Sequence, residues 1–128
     1  MLRKLFYFFR FPIIVFLVSC FLSFFGIYDF YPWIDIPIHF IGGFVIAYSF
    51  VLILNFWKEK NLIKINNKLI YILFIVALVS LIAVFWEFWE YVMDYFFNYQ
   101  CQFGLWDTML DLFLGILGGF VLIVFRKI

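Results

Sequence analysis

Residues Leu69 to Asp94 read LIYILFIVALVSLIAVFWEFWEYVMD, and the first eighteen of them carry no charged side chain. A helix needs ~20 mostly apolar residues to cross the ~30 Å hydrocarbon core of a bilayer, so this run has the length and chemistry of a membrane span. Working outward, Phe11 to Tyr28, Ile36 to Trp57 and Trp106 to Phe125 have the same character. The breaks between them hold what spans avoid: two prolines and two acids in Asp29 to Pro37, four lysines and three asparagines in Lys58 to Lys68, and a polar-aromatic stretch with a glycine in Tyr95 to Gly104. The reading is an all-α, polytopic membrane protein, a four-transmembrane-helix bundle with spans at about 11–28, 36–57, 69–94 and 106–125 and one integral membrane domain over 1–128.

Composition agrees. The 128 residues are 69% hydrophobic and 13% charged, with a mean hydropathy of +1.14, and so few polar side chains cannot coat a water-soluble core of this size. Twenty-two Phe, eight Tyr and five Trp suit acyl chains and membrane interfaces, and a net charge of +1 argues against nucleic-acid binding. Two cysteines, Cys20 and Cys101, define no disulfide framework.

Basic residues near span ends remain on the cytoplasmic side of a membrane. Arg3, Lys4 and Arg10 precede the first span, Lys58, Lys60, Lys64 and Lys68 separate the second from the third, and Arg126 and Lys127 follow the fourth. Both termini are therefore expected in the cytoplasm, with the chain in the cytoplasmic (inner) membrane of a bacterium. Of eight acids only Glu59 falls on that side; Asp29, Asp35, Glu87, Glu90, Asp94, Asp107 and Asp111 fall at or near the opposite ends. A competing reading of the N-terminus is that Leu17-Val18-Ser19-Cys20 after Arg3 and Lys4 resembles a bacterial lipoprotein signal with Cys20 as the lipidated residue. Against it, the apolar run continues through Phe21, Leu22, Phe24 and Phe25, where a processed lipoprotein turns polar.

The acids fall on defined faces. Asp35 and His39, four residues apart around Pro37 in a first helical turn, continue at ~100° per residue into Gly42 and Ile46. Asp35 alone would read as a cap and His39 alone as a satisfied interfacial imidazole. Glu87, Glu90 and Asp94 share a stripe about 60° wide, which Ala83 and Ser80 continue backward as a small and polar face that marks the bundle interior. Intramembrane carboxylates normally face a partner or a cavity; the blander alternative is acids that reach headgroup water. Trp86, Trp89, Tyr91 and Tyr95 read as the aromatic belt at that depth. Asp107, Asp111, Gly115 and Gly118 lie within about 80°, and Gly115 with Gly119 gives a small-x-x-x-small contact. Asp107 could be an N-cap, whereas Asp111, a turn further in, needs another purpose.

Together these residues converge on one half of a small bundle, a membrane thickness from every Lys and Arg. Close like charges in a low dielectric repel by several kcal/mol, so the group must take up protons, a metal ion or a cationic ligand. Asp35, His39, Glu87, Glu90, Asp94, Asp107 and Asp111 offer oxygen donors and one imidazole, a set suited to a divalent ion such as Mg²⁺, Mn²⁺, Ca²⁺ or Zn²⁺.

At these residues the sequence resembles the YjdF-type family of small bacterial membrane proteins and, more distantly, the VanZ-like family linked to glycopeptide resistance. Asp35-Ile36-Pro37-Ile38-His39-Phe40 followed by Gly43 resembles the family's Asp and His at the start of a helix. Glu87 and Glu90 resemble its Glu-x-x-Glu, and Trp106-Asp107-Thr108 with Asp111 and Gly118 its Trp-Asp-Thr-x-x-Asp segment. The ordered set runs from Asp35 to Gly119, about two thirds of the chain. Ile36 stands where that family often has Lys. The VanZ-like pattern has a basic residue ahead of its last acid, while nothing from Leu69 to Phe125 here is basic, which argues against a direct grip on an anionic headgroup. The resemblance implies a polar site on the outer face and no particular reaction.

Three functions fit. One is a metal-dependent enzyme acting on a lipid or envelope precursor, with Glu87, Asp111 and His39 as candidate catalytic groups. It lacks a covalent nucleophile: Ser19, Ser23, Ser49 and Ser80 have no adjacent base, Cys101 lies in a loop, and Thr108 is only a candidate. Asp107-x-x-x-Asp111 matches half of the motif of membrane alcohol phosphotransferases, whose preceding Asp-Gly and Ala-Arg elements are missing. A second function is a proton- or cation-binding carrier, although Ser49, Asn55 and Ser80 offer little toward the inner face. A third is an accessory protein whose partner supplies Lys or Arg. The expected partners are membrane lipids, with a second copy or another membrane protein as further options.

Overall fold

The structure, a computed structural model, describes residues 2–126, so Lys127 lies outside the described residues. Its elements are α1 (Leu2–Phe24), a short α2 (Ile27–Phe30), a 3-10 turn (Pro32–Ile34), α3 (Asp35–Glu59), α4 (Lys68–Phe97) and α5 (Leu105–Phe125). There is no strand among the described residues. The four long helices are each long and apolar enough to cross a membrane, as the hydropathy of the sequence requires.

Each boundary has a local cause. α1 begins well before residue 11 and contains Arg3, Lys4 and Arg10 rather than following them, because Arg and Lys are good helix formers whose stems pack on apolar neighbours. It stops at Phe24 instead of Tyr28, where Gly26 takes the left-handed conformation (φ 63°) and turns the chain into α2. Asp35 does not cap α3; it lies in the first helical turn and Ile34 precedes it without a side-chain cap. Asn67 caps α4, its Oδ1 accepting the N–H groups of Leu69 at 2.8 Å and Ile70 at 3.2 Å. α4 runs three residues past Asp94 and ends at Asn98, a left-handed residue (φ 58°).

α3 is the central helix, flanked by α1, α4 and α5, and α5 also packs on α4. One half of the bundle is mostly hydrocarbon, with Val51, Leu54, Ile75, Val79 and Ile123 fully buried beside Tyr71 and Ser49. Large side chains such as Ile14, Leu17, Phe21, Leu73, Phe85 and Phe113 point outward, which is the normal arrangement when lipid is the solvent. Bases collect at the far end from the acids: Lys4 lies over the Phe56 ring, Lys58 over Tyr71 and Arg126 over Tyr48.

Glycine sets how closely α3 and α5 approach. A Cβ on Gly43 would strike the carbonyl of Gly115, and one on Gly118 would strike the carbonyl of Phe40. Gly119, which the spacing pairs with Gly115 in a helix contact, faces Val79 of α4 instead, where an added Cβ would come within 2.8 Å of a valine methyl. Gly42, the expected contact residue of α3, has ordinary space toward Val15. This backbone-to-backbone crossing lies one turn below His39 and sets α3 beside α5 at the height of Asp111.

Candidate metal centre

Three helices converge on His39. Its Nε2 lies 3.3 Å from Asp35 Oδ1, one turn back on α3, 3.6 Å from Glu90 Oε1 on α4, and 3.9 Å from Asp111 Oδ2 on α5. Its Nδ1 lies 3.9 Å from Glu87 Oε1. All five side chains are more than nine-tenths buried: Asp111 is 2% exposed, Asp35 and Glu90 6%, His39 and Glu87 7%.

These distances do not make a satisfied network. Asp35 Oδ2, His39 Nε2, Glu87 Oε1, Glu90 Oε2 and Asp111 Oδ2 are buried without a hydrogen-bond partner. A single imidazole nitrogen facing three carboxylates can donate to only one, and buried polar atoms are ordinarily paired. No Lys or Arg is paired with these acids among the described residues, where every ion pair involves His39. At an effective dielectric of 20, like charges ~4 Å apart repel by roughly 4 kcal/mol. A protonated His39 offsets one acid and leaves the others facing one another.

The remaining sequence candidates divide. Asp107 belongs to a second group with Asp35 and Asp111, while His39, Glu87, Glu90 and Asp111 form the first; within each group the potential ligand atoms lie within 4.8 Å of one another. Asp107 sits in the first turn of α5 behind Gly104, and its Oδ2 accepts the N–H of Phe103 at 3.0 Å, so it also steadies the entry to that helix. Asp94 is in neither group. Its two oxygens accept the backbone N–H groups of Cys101 at 2.7 Å and Gln102 at 2.9 Å, which ties the loop down onto α4.

That tie brings in Gln102, whose Nε2 donates to Glu87 Oε2 at 3.1 Å and to the Glu87 carbonyl at 3.2 Å. No pattern in the sequence points to Gln102, because its place depends on how the loop returns. Trp86 was legible. Its Nε1 donates to Glu90 Oε1 at 2.7 Å, an i to i+4 pair, and its ring meets the edge of His39 with centroids 5.7 Å apart. It is therefore part of the wall of the site and not merely a membrane-interface aromatic. Gln102 holds one oxygen of Glu87 and leaves the other facing His39, whereas Trp86 holds the same Glu90 oxygen that faces His39 and leaves Oε2 buried without a partner.

A cavity of about 360 Å³ adjoins Glu90 between α1 and α4, lined by Phe16, Cys20, Phe24, Trp89, Met93 and Cys101, among others. Ser19 Oγ and Tyr28 Oη, 3.2 Å apart, and Ser23 with Cys101, 3.7 Å apart, link α1 to the segments that close this end. Burial raises the Tyr28 hydroxyl above its usual range and pushes the Cys101 thiol up to about 12, so both groups stay protonated.

The chain matches over residues 2–128 the model of a family described as predicted membrane proteins, DUF2238. It belongs to that family. The match agrees with the YjdF-type resemblance and is silent on the VanZ-like one. No curated protein and no solved structure matches the chain.

Proposed function

We propose that this protein binds a divalent cation in its acidic and imidazole centre, on the outer side of a bacterial cytoplasmic membrane, and uses it to hydrolyse a lipid or an envelope precursor. The observation that carries the cation reading is the convergence of His39, Glu87, Glu90 and Asp111 from three helices, each buried and each with an atom lacking a hydrogen-bond partner. Mixed oxygen and imidazole donors fit a hard or borderline ion. The orientation rests on the gathering of Lys4, Lys58 and Arg126 at the opposite end, following the positive-inside tendency.

A divalent ion held here would supply Lewis acidity and make a water ligand more acidic. Around it the chain's own groups have separate tasks. Trp86 and Gln102 hold Glu90 and Glu87 in place, and a carboxylate or His39 moves the proton. The apolar cavity beside Glu90 supports an amphiphilic substrate, because an acyl chain can lie among Phe16, Phe24 and Met93 while its polar end reaches the carboxylate. The carrier reading has less support: beneath the centre the described core is hydrocarbon apart from Tyr71 and Ser49, whose hydroxyl is spent on the Val45 carbonyl, and two separate hydroxyls make no continuous polar path.

Metal analysis and thermal unfolding of the detergent-purified protein test the proposal, with Mg²⁺, Mn²⁺, Ca²⁺ and Zn²⁺ each added to chelator-stripped samples. Retained metal and a raised midpoint, both lost in Glu87→Gln and Asp111→Asn, are expected. Indifference to all four ions would defeat it. Hydrolysis of lipid-linked phosphates or esters that disappears in the same variants distinguishes an enzyme from a carrier, and a stoichiometric basic partner in a pull-down would favour the accessory reading.

A further inference from the structure

We infer that the centre is dinuclear, with Asp111 bridging two divalent ions; the inference rests on the cation reading above. The donor atoms fall into two groups that share one residue: His39, Glu87, Glu90 and Asp111 on one side, Asp35, Asp107 and Asp111 on the other. Asp111 is the least exposed of these acids and lies where the two groups meet. A carboxylate has two oxygens and can bind an ion with each, and paired metal sites hold their ions ~3.5–4 Å apart.

Charge favours the same count. The two groups hold five carboxylates, Asp35, Glu87, Glu90, Asp107 and Asp111. One divalent ion would neutralise two of them and leave three in a low-dielectric site. Two ions would leave a single negative charge, which the donors Trp86 and Gln102 can accommodate. An independent observation points to a ligand on the second side. Asp35 Oδ2 is buried without a hydrogen-bond partner, on a side chain more than nine-tenths buried, whereas the unpartnered Asp111 Oδ2 faces His39 on the first side. Asp107 spends Oδ2 on the Phe103 N–H and keeps its other oxygen for a ligand.

The two positions differ in donor chemistry. The first includes an imidazole and suits Mn²⁺ or Zn²⁺, whereas the second is all oxygen and suits Mn²⁺, Mg²⁺ or Ca²⁺. Mn²⁺ fits both and is the probe. Full-length protein in detergent, stripped with chelator and equilibrated with Mn²⁺, should hold two Mn²⁺ per chain and give the electron paramagnetic resonance spectrum of a spin-coupled pair. Asp107→Asn retains the acceptor for Phe103 and should hold one uncoupled Mn²⁺. A stoichiometry of one in the unaltered chain overturns the dinuclear assignment and leaves the cation reading standing. A stoichiometry of zero, with no ion of the four raising the unfolding midpoint, overturns both. Two coupled ions in Asp107→Asn would remove Asp107 from the site and overturn the second group of Asp35, Asp107 and Asp111.

Discussion

Around Ile75, Val79, Val51, Leu54 and Ile123 the helices bury hydrocarbon with no charged group, whereas further along the same helices they bury Asp35, His39, Glu87, Glu90 and Asp111 almost as completely. Burial therefore does not distinguish the two halves; partnering does. In the apolar half every buried atom has what it needs, because close packing is its only requirement. In the polar half buried oxygens face one another without donors, and that arrangement costs free energy unless something charged or protonic completes it. The apolar half holds the helices together, and the polar half draws on that stability.

The glycines where α3 meets α5 lie between the halves, so the largest effect is expected there. Gly43→Ala places a methyl in the Gly115 carbonyl, and only separation of the two helices relieves the clash. The protein should lose ~3 kcal/mol or more or fail to remain monodisperse in detergent, and its metal content should fall with it. Gly42→Ala is the neighbour for comparison: its nearest contact is a Val15 methyl at 3.9 Å, so its unfolding midpoint should hardly move. Equal behaviour of the two variants would mean that the helices do not cross as described.

A smaller effect separates the halves themselves. At a free ion concentration 100 times the dissociation constant, binding stabilises a fold by about 2.7 kcal/mol. The unaltered protein should show a rise of that order on adding metal, and chelator should reverse it. Asp111→Asn should abolish the response. Ile75→Ala, in the apolar half, should lower stability by ~2 kcal/mol or more, while retaining the full metal response. A metal response lost in Ile75→Ala would show that the halves are not separable.

The same contrast explains what could be read from the sequence. The four spans were legible because hydropathy over ~20 residues is a local property. The grouping of Glu87 with Glu90, and of Asp35 with His39, was legible because helical periodicity fixes which residues share a face. Asp94 lies on the stripe of Glu87 and Glu90, yet the loop draws it away by presenting the Cys101 and Gln102 N–H groups. No periodicity encodes that. Gly43 rather than Gly42 became the contact with α5 because the crossing depends on the partner helix as well as on the stripe. The role of Trp86 was present as an i to i+4 pair with Glu90, and its aromatic-belt reading obscured it.

The smallest expected effect concerns the loop that closes the polar half. Burial pushes the Cys101 thiol up to about 12 from its ordinary 9.0, so the folded protein holds this proton more tightly than the unfolded chain. The associated stability is full below pH 9 and is lost as pH rises toward 12. On a Cys20→Ser background at pH 9, iodoacetamide should therefore alkylate folded Cys101 slower than the denatured chain by a factor on the order of 100. Releasing Asp94 by Asp94→Ala should free the loop and restore most of that rate, because the Cys101 N–H then has no carboxylate to hold it beside Ser23. Rapid alkylation of the folded parent would place the loop away from α1 and remove Gln102 from Glu87, leaving the centre to be held by its helices alone.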